Sequence, residues 1–327
     1  MIVQKPVKYT YTFIQVNSCN MCGASGLSQK KMGRRMNCSN GLYARNKTGI
    51  STTVMKCRKC GLIYSNPMPI PQSISQHYNL SFSEYYPEDF LEHADEGLIY
   101  PKELKFIDIF LEHHTGSLKP RILDIGAGVG ITLKKYQTAG FDIHGLEPNE
   151  QFCNESRHFL GDDSLKMNCT PFEGAEYPDG YFDFIISFNV LEHVYDPDEL
   201  IRTALKWLKP GGLFGIVVPY SEWFTAKLMN AFYRMQLSDC VTNISPMHDP
   251  FHLYEFGKKS FALNAVKNGY SVFRQNIVNT SSHLPKLLDL VVNPIMNLCK
   301  MGLRLEIIIQ KELQTVRAVK GGEENQQ

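Results

Sequence analysis

Four cysteines stand in two matching pairs, Cys19-Asn-Met-Cys22 and Cys57-Arg-Lys-Cys60, each followed at once by a glycine. A Cys-x-x-Cys turn puts two thiolates on one tight bend, and two such bends can close a tetrahedral four-cysteine site around zinc. With all four positions filled by protein, such a metal would be structural. Unrelated free cysteines and a redox pair are the alternatives, but a redox motif is one Cys-x-x-Cys beside a βαβ unit, not two in a strand-poor basic segment. Cys38 has no paired cysteine and stays outside this set. A second constellation is Arg-Ile-Leu-Asp-Ile-Gly-Ala-Gly-Val-Gly, residues 121–130. Ile122, Leu123 and Ile125 read as a buried parallel strand, and Asp124 inside that run is costly unless partnered. Gly126, Gly128 and Gly130 let a ligand approach the main chain. The dinucleotide fingerprint would need a glycine where Ile131 stands; its acid at the end of the next strand is present as Glu147. A doubly wound turn with a surface glutamate is the bland alternative. A third group is His248, Asp249 and His252, in Pro-Met-His-Asp-Pro-Phe-His. Pro250 argues against a helical metal pair, so a histidine base with an aspartate orienter fits better than a metal, with a substrate-positioning or purely structural role as the alternative.

The chain has 327 residues and 43% hydrophobic content, enough for one large or two ordinary domains. No apolar run approaches the roughly 18 residues of a membrane span. The N-terminal Met-Ile-Val-Gln-Lys-Pro-Val-Lys lacks a signal-peptide pattern, so a cytoplasmic location and no membrane partner are expected. Nine cysteines in that setting suggest thiols or metal rather than disulfides. The net charge of +1 hides an asymmetry: residues 1–83 hold eleven Lys and Arg and no acid, leaving 23 basic against 33 acidic residues in the rest. A basic stretch of this kind either meets an anionic partner or docks on the acidic part of its own chain.

Elements able to position these groups alternate along the chain. Strands are expected at 121–126, 141–147, 164–169, 182–187, 213–218, 270–276 and 304–312. Helices follow several of them. Asn149 is a helix cap, and Asp196-Pro197-Asp198-Glu199 is a strong helix start. Apolar positions at Leu104, Ile107, Phe110 and Leu111 predict a helix within 98–114 that packs on the edge of the sheet. Alternating strands and helices argue for a three-layer α/β sheet.

Leu-Asp-Ile-Gly-Ala-Gly-Val-Gly, Gly-Leu-Glu-Pro-Asn-Glu, residues 181–197 with Asn-Val-Leu-Glu-His-Val, and Leu-Lys-Pro-Gly-Gly-Leu-Phe-Gly-Ile-Val-Val-Pro follow one another in order. As a set, they resemble the class I S-adenosylmethionine-dependent methyltransferases. With the N-terminal zinc knuckles and the Tyr85-Tyr86 segment, the chain is similar to bacterial methyltransferases of sugar and polysaccharide pathways. The resemblance implies a Rossmann-like three-layer sheet with an antiparallel seventh strand and a small N-terminal four-cysteine zinc module. It implies S-adenosylmethionine and Zn2+ as cofactors. It also implies a cofactor site of Asp124, Gly126, Ala127, Gly128, Gly130, Glu147, Cys169, Thr170 and Asn189. There Glu147 meets the ribose, Cys169 and Thr170 the adenine, and Asn189 the methionine end. Glu192 and His193 recur in the family motif and read as structural there. His248 or His252 would be the base, Cys19, Cys22, Cys57 and Cys60 the metal ligands. Tyr85 and Tyr86 would cover the cofactor or pack in the core.

The expected division is a zinc-binding basic module at 1–75, a linker with cofactor-covering helices at 76–117, and a methyltransferase domain at 118–312. Acceptor-side insertions fall at 220–259 and 281–301, and 313–327 is a flexible tail. The expected reaction is methyl transfer to a hydroxyl of a sugar, nucleotide sugar or related small metabolite, with a phosphorylated or nucleotide-linked acceptor suiting the basic module. The alternatives are an RNA methyltransferase that grips nucleic acid through that module and a non-catalytic cofactor-binding protein.

Overall fold

Ile122 and Leu123 are both buried, yet they belong to opposite faces of one strand, and the same alternation repeats across its neighbours. Ile122, Phe184, Ile186, Val217 and Ile308 enter one apolar cluster, while Leu123, Ile185, Ile216, Ile307 and Ile309 enter another. A sheet buried on both faces needs continuous apolar runs, which these strands have. The computed structural model describes residues 10–35, 52–72, 104–114, 116, 119–161, 166–244, 252–279 and 286–313.

The sheet contains β6 (Arg121–Ile125), β7 (Asp142–Leu146), β8 (Lys166–Asn168), β9 (Phe182–Phe188), β10 (Leu208–Pro219), β13 (Tyr270–Val278) and β14 (Arg304–Lys311). Its order is β13-β14-β10-β9-β6-β7-β8. β6 is parallel to both β7 and β9, and β14 runs antiparallel to β10 and β13, as the resemblance implies. The strand order reverses at β6 and β9, so the loops leaving these two strands flank a crevice at the carboxyl edge, the place where open α/β sheets bind ligands.

Helices cover both faces. α1 (Leu104–His113) lies against the sheet face rather than its edge: Phe110 stacks on Phe184 with ring centroids 4.4 Å apart, and Phe106 sits where a side chain at Gly215 would go. Ile107 and Phe110 are buried as expected, while Phe106 is buried in addition and Leu111 is exposed, a small rotation of the packed stripe. α2 (Ile131–Thr138) and α3 (Glu150–Leu160) follow β6 and β7; α3 is capped by Asn149, whose Oδ1 accepts from the N–H groups of Gln151 and Phe152. α4 (Pro197–Trp207) is capped by Asp196 in the same way.

The N-terminal segment is not strand-poor. It forms β1 (Tyr11–Ile14), β2 (Gln29–Arg35), β3 (Thr53–Cys57), β4 (Ile63–Asn66) and β5 (Met68–Pro71). The polar run Gln-Lys-Lys-Met-Gly-Arg-Arg shows little apolar alternation, and it becomes β2 through pairing with neighbours on both sides. One of those neighbours comes from far along the chain. β11 (Cys240–Val241) pairs with β2, and β12 (Tyr254–Glu255) pairs with β4, giving a five-stranded sheet of order β11-β2-β3-β4-β12. The basic residues serve this seam. Arg34 pairs with Asp239 at 3.1 Å, Lys56 with Glu222 at 3.3 Å, and Arg35 Nε donates to the Ile244 carbonyl at 2.7 Å. The acidic part of the same chain is therefore the partner of these three cations. α5 (Phe224–Met235) and α7 (Lys286–Leu298) fill the remaining insertions, and no described helix is long and apolar enough to cross a membrane.

α6 (Lys258–Asn268) ties the two sheets together. Asn264 Nδ2 donates to the Met21 carbonyl at 2.8 Å and to Asp198 on α4 at 2.6 Å. Burial alone would raise the Asp198 carboxyl, but hydrogen bonds from Lys267, Asn268 and Asn264 hold it below its ordinary value. Truncation of Asn264 to alanine strands a buried carbonyl and weakens a buried, charge-assisted contact. Asn264→Ala is expected to lower stability by about 2–4 kcal/mol, read as a shift in the urea midpoint.

Candidate functional site

The glycine loop after β6 is held by β7. Gly126 and Ala127 both donate to the Leu146 carbonyl, at 2.8 and 2.9 Å. Gly128 N–H donates to Glu147 Oε2 at 2.8 Å, and Asn149 N–H donates to Glu147 Oε1 at 2.8 Å. The three glycines have φ of 79°, 54° and 82°, a left-handed backbone that strains any other residue. A side chain at Gly126 would also run into Val190, and one at Gly130 into Ser156 and Leu160. The loop is thus wedged between the exit of β9 and α3. Ile131 is the first residue of α2 and is buried, which explains why no glycine is needed there.

Two acids lie at this loop. Asp124 is 3% exposed; burial, and then the charge of Glu147, push its carboxyl up to about 8. Burial raises Glu147 to about 7, against the downward pull of the Asn149 and Gly128 N–H groups. Two carboxyls that resist ionising together present a local demand for positive charge. Asn189 ends the neighbouring β9 with φ +57° and an exposed side chain, its N–H bonded to Val217 O at 2.9 Å. Asp124, Gly126, Ala127, Gly128, Gly130 and Glu147 therefore converge at the β6–β7 exits, with Asn189 on the adjoining strand.

Cys169 and Thr170 follow β8 and are half-buried. Cys169 is joined to Cys153 of α3 in a disulfide, which corrects the expectation that the cysteines are thiols or metal ligands. Sixteen residues of spacing give no signal for it, because the pair meets only when α3 packs beside β8. The Cys169 sulfur is thus occupied by Cys153.

Beyond the β9 exit, Glu192, His193 and His252 come together. One possible ligand atom from each lies within 4.8 Å of the others. His252 Nε2 is 3.9 Å from Glu192 Oε1, and the two imidazole centroids are 4.9 Å apart. Burial drives the Glu192 carboxyl up to about 8, with its own backbone and the charge of Arg304 pulling the other way. The arrangement is set by one backbone seam. Leu253 N–H donates to Glu192 O at 2.7 Å, while Leu253 O accepts from Ser65 N–H of β4 at 3.1 Å. Sequence alone reads the glutamate-histidine doublet as structural; the missing signal is its convergence with His252. His248, Tyr85, Tyr86 and Cys38 lie outside the described residues.

The four knuckle cysteines also converge, their Sγ atoms within 4.8 Å of one another. Cys19–Cys60 and Cys22–Cys57 are 3.5 and 3.7 Å apart. The two turns match: Gly23 N–H donates to Cys19 O and Gly61 N–H to Cys57 O, both at 2.8 Å, each glycine left-handed. Donation from the Cys19 thiol lowers Cys60 and raises Cys19.

A family described as a methyltransferase domain matches residues 90–271, more than half of the chain. The chain belongs to that family. Among similar proteins, a ubiquinone biosynthesis O-methyltransferase of Caulobacter sp. (strain K31) is 33% identical over 100 residues, covering 28% of this chain and 38% of that protein. Phosphoethanolamine N-methyltransferase 1 of Arabidopsis thaliana is 35% identical over 106 residues, 29% of this chain and 21% of that one. The match thus spans well under half the length of either relative. A solved structure of a geranyl diphosphate C-methyltransferase from Streptomyces coelicolor aligns with 11% identity and a TM-score of 0.48, over 73% of this chain and 96% of that one.

Within this methyltransferase-domain chain, two substitutions separate backbone strain from side-chain chemistry. Gly126→Ala places a methyl against Val190 in a left-handed backbone and is expected to cost about 2–4 kcal/mol in urea unfolding. Asn189→Gly relieves a left-handed residue with an exposed side chain. It is expected to unfold within about 1 kcal/mol of the parent, which makes it a clean probe of what that side chain contacts.

Proposed function

We propose that the chain transfers a methyl group from S-adenosylmethionine to a hydroxyl oxygen of a sugar, nucleotide sugar or related small metabolite. The observation that carries the reading is the buried acid pair Asp124 and Glu147 at the glycine loop. Both carboxyls sit above their ordinary values, and a cationic ligand with a diol suits both needs. S-adenosylmethionine supplies a methyl group already activated by its sulfonium. Glu147 uses one lone pair of each oxygen on Gly128 and Asn149, and the remaining lone pairs can accept two ribose hydroxyls. Gly126, Ala127, Gly128 and Gly130 allow close approach of the main chain. Asp124 offers negative charge to the amino-acid end, Asn189 an amide, and Thr170 and the Cys169 main chain a rim for the adenine.

In the transfer, a lone pair of the acceptor oxygen forms the new bond to the methyl carbon. The sulfur–carbon electron pair returns to sulfur, and the hydroxyl proton passes to a neutral imidazole of the histidine cluster or, where both imidazoles are engaged, to solvent water. Glu192 and His193 follow the β9 exit three and four residues after Asn189, and their convergence with His252 supports reading this cluster as the part that receives the acceptor. Holding donor and acceptor in line accounts for most of the rate gain in such a displacement. Oxygen is the favoured atom because of the histidines, which suit removal of a hydroxyl proton, and because of the O-methyltransferase relatives. The pairing of Arg34, Arg35 and Lys56 with groups of the same chain supports a small acceptor over RNA.

Cys19, Cys22, Cys57 and Cys60 would hold a structural zinc. Tetrahedral Zn–S bonds of about 2.3 Å separate sulfurs by roughly 3.8 Å, near the 3.5 and 3.7 Å spacings of the two closest pairs. The metal would brace β4, and through Leu253 the acceptor side.

Two measurements test these assignments. Binding of S-adenosylmethionine should release protons near pH 7, because a cation favours the ionised forms of Asp124 and Glu147. Affinity should accordingly rise between pH 6 and 8.5, by at most about tenfold per pH unit per proton released. Calorimetry in buffers of different ionisation enthalpy reads this directly, and pH-independent binding without proton release would overturn the acid-pair reading. Glu147→Gln should weaken cofactor binding by about tenfold or more. Cys57→Ser should lose about one zinc per chain, measured by elemental analysis, and depress turnover in an acceptor screen of sugars, nucleotide sugars and RNA. Its cofactor affinity should stay within about threefold of the parent, since the glycine loop does not touch the knuckles.

A further inference from the structure

Glu192 is 1% exposed, and neither carboxylate oxygen has a hydrogen-bond partner. A buried carboxylate left this way costs several kcal/mol or stays protonated. Among the described residues it faces the imidazole of His252 at 3.9 Å and the positive charge of Arg304, which acts from β14. Neither is within hydrogen-bonding reach of it in the described contacts. A lone base would need one histidine and one orienting acid. Here a second imidazole, His193, also brings a ligand atom within 4.8 Å of the other two. Both histidines are half-buried, with the His252 side chain 21% exposed, so the cluster opens outward from the buried acid.

We infer that Glu192, His193 and His252 form a site for a divalent transition-metal ion of the zinc class, with open positions that take two neighbouring oxygens of the acceptor. Two imidazoles and one carboxylate are a donor set for such ions, and three protein ligands leave room for substrate. Tetrahedral bonds of about 2.0–2.1 Å place ligand atoms roughly 3.4 Å apart. The 3.9 Å gap between His252 and Glu192 closes with a side-chain shift of about half an ångström, and the backbone is already fixed by the Leu253 seam. A bound dication neutralises the acid and makes a coordinated hydroxyl easier to deprotonate. His252 then acts as a ligand, replacing the free-base role expected from sequence. The acceptor class narrows to hydroxyls with an adjacent oxygen, such as a vicinal diol. The identity of the acceptor rests on the methyl-transfer reading, while the ion site does not.

The test uses the full chain with its cysteine site filled by one equivalent of zinc, titrated with Co2+. The expected result is one further metal per chain with visible d–d absorption and no sulfur-to-cobalt charge-transfer band. Glu192→Gln and His252→Asn should each weaken Co2+ binding at least about tenfold, and Cys240→Ser should not change it. No cobalt beyond the cysteine site, a sulfur-type spectrum, or undiminished binding in both variants would overturn the site. Circular dichroism checks that the variants fold; if Glu192→Gln does not, His252→Asn at the open edge decides. S-adenosylmethionine is titrated into the same samples. Cofactor binding without cobalt binding removes the metal site alone, and cobalt binding without cofactor binding removes the methyl-transfer reading and leaves the site standing.

Discussion

One carboxylate holds the glycine-loop corner of this molecule in shape. Glu147 accepts an N–H from the glycine loop with one oxygen and an N–H from the start of α3 with the other. It therefore ties the exits of β6 and β7 into one rigid corner. The cost is burial of a charge that sits beside Asp124. Two backbone hydrogen bonds offset part of that cost and leave the rest as an electrostatic preference for a cation. Gly126 and Gly130 are needed because Val190, Ser156 and Leu160 leave no room for side chains there, and Gly128 shares their left-handed backbone.

The part of the fold that carries His252 is built by a different logic. His252 belongs to an insertion after β10, yet the next residues of that insertion form an edge strand on the N-terminal sheet. The knuckle cysteines pack in the same apolar cluster as Leu200, Ile201 and Phe261 of the catalytic part. Ser260 and Asn264 hydrogen-bond directly to the knuckle carbonyls of Cys60 and Met21. The cysteine knuckles are thus a buttress for the insertion, and three of the cations around them, Arg34, Lys56 and Arg35, are met by Asp239, Glu222 and the Ile244 carbonyl.

What can be read from sequence follows from the range of each interaction. The strand-loop-helix units are legible because apolar alternation, glycine spacing and caps such as Asn149 and Asp196 are local signals. The matching knuckles are legible for the same reason. β11 and β12 are not, since two-residue strands carry no periodicity and exist only through partners far away in sequence. The Cys153–Cys169 bridge and the meeting of Glu192 and His193 with His252 depend likewise on tertiary packing. The apolar pattern misplaces Leu111 and misses Phe106 because a ten-residue helix tolerates a small rotation of its apolar stripe without losing its pattern.

The two halves meet at the loop from Asn189 to His193. Asn189 turns the chain out of β9 with a positive φ, and Val190 then packs where Gly126 leaves space. Two residues later, Glu192 offers its carbonyl to Leu253 and its carboxylate to the histidine cluster. Five residues thus touch the glycine corner at one end and the insertion seam at the other. The segment is short and is pinned by backbone hydrogen bonds at Asn189, Glu192 and His193. In-line methyl transfer demands that donor and acceptor be fixed to within a fraction of an ångström of each other. On the proposed methyl-transfer reading, that requirement accounts for so constrained a turn between the glycine corner made by the sheet and the histidine cluster made by segments brought in from both ends.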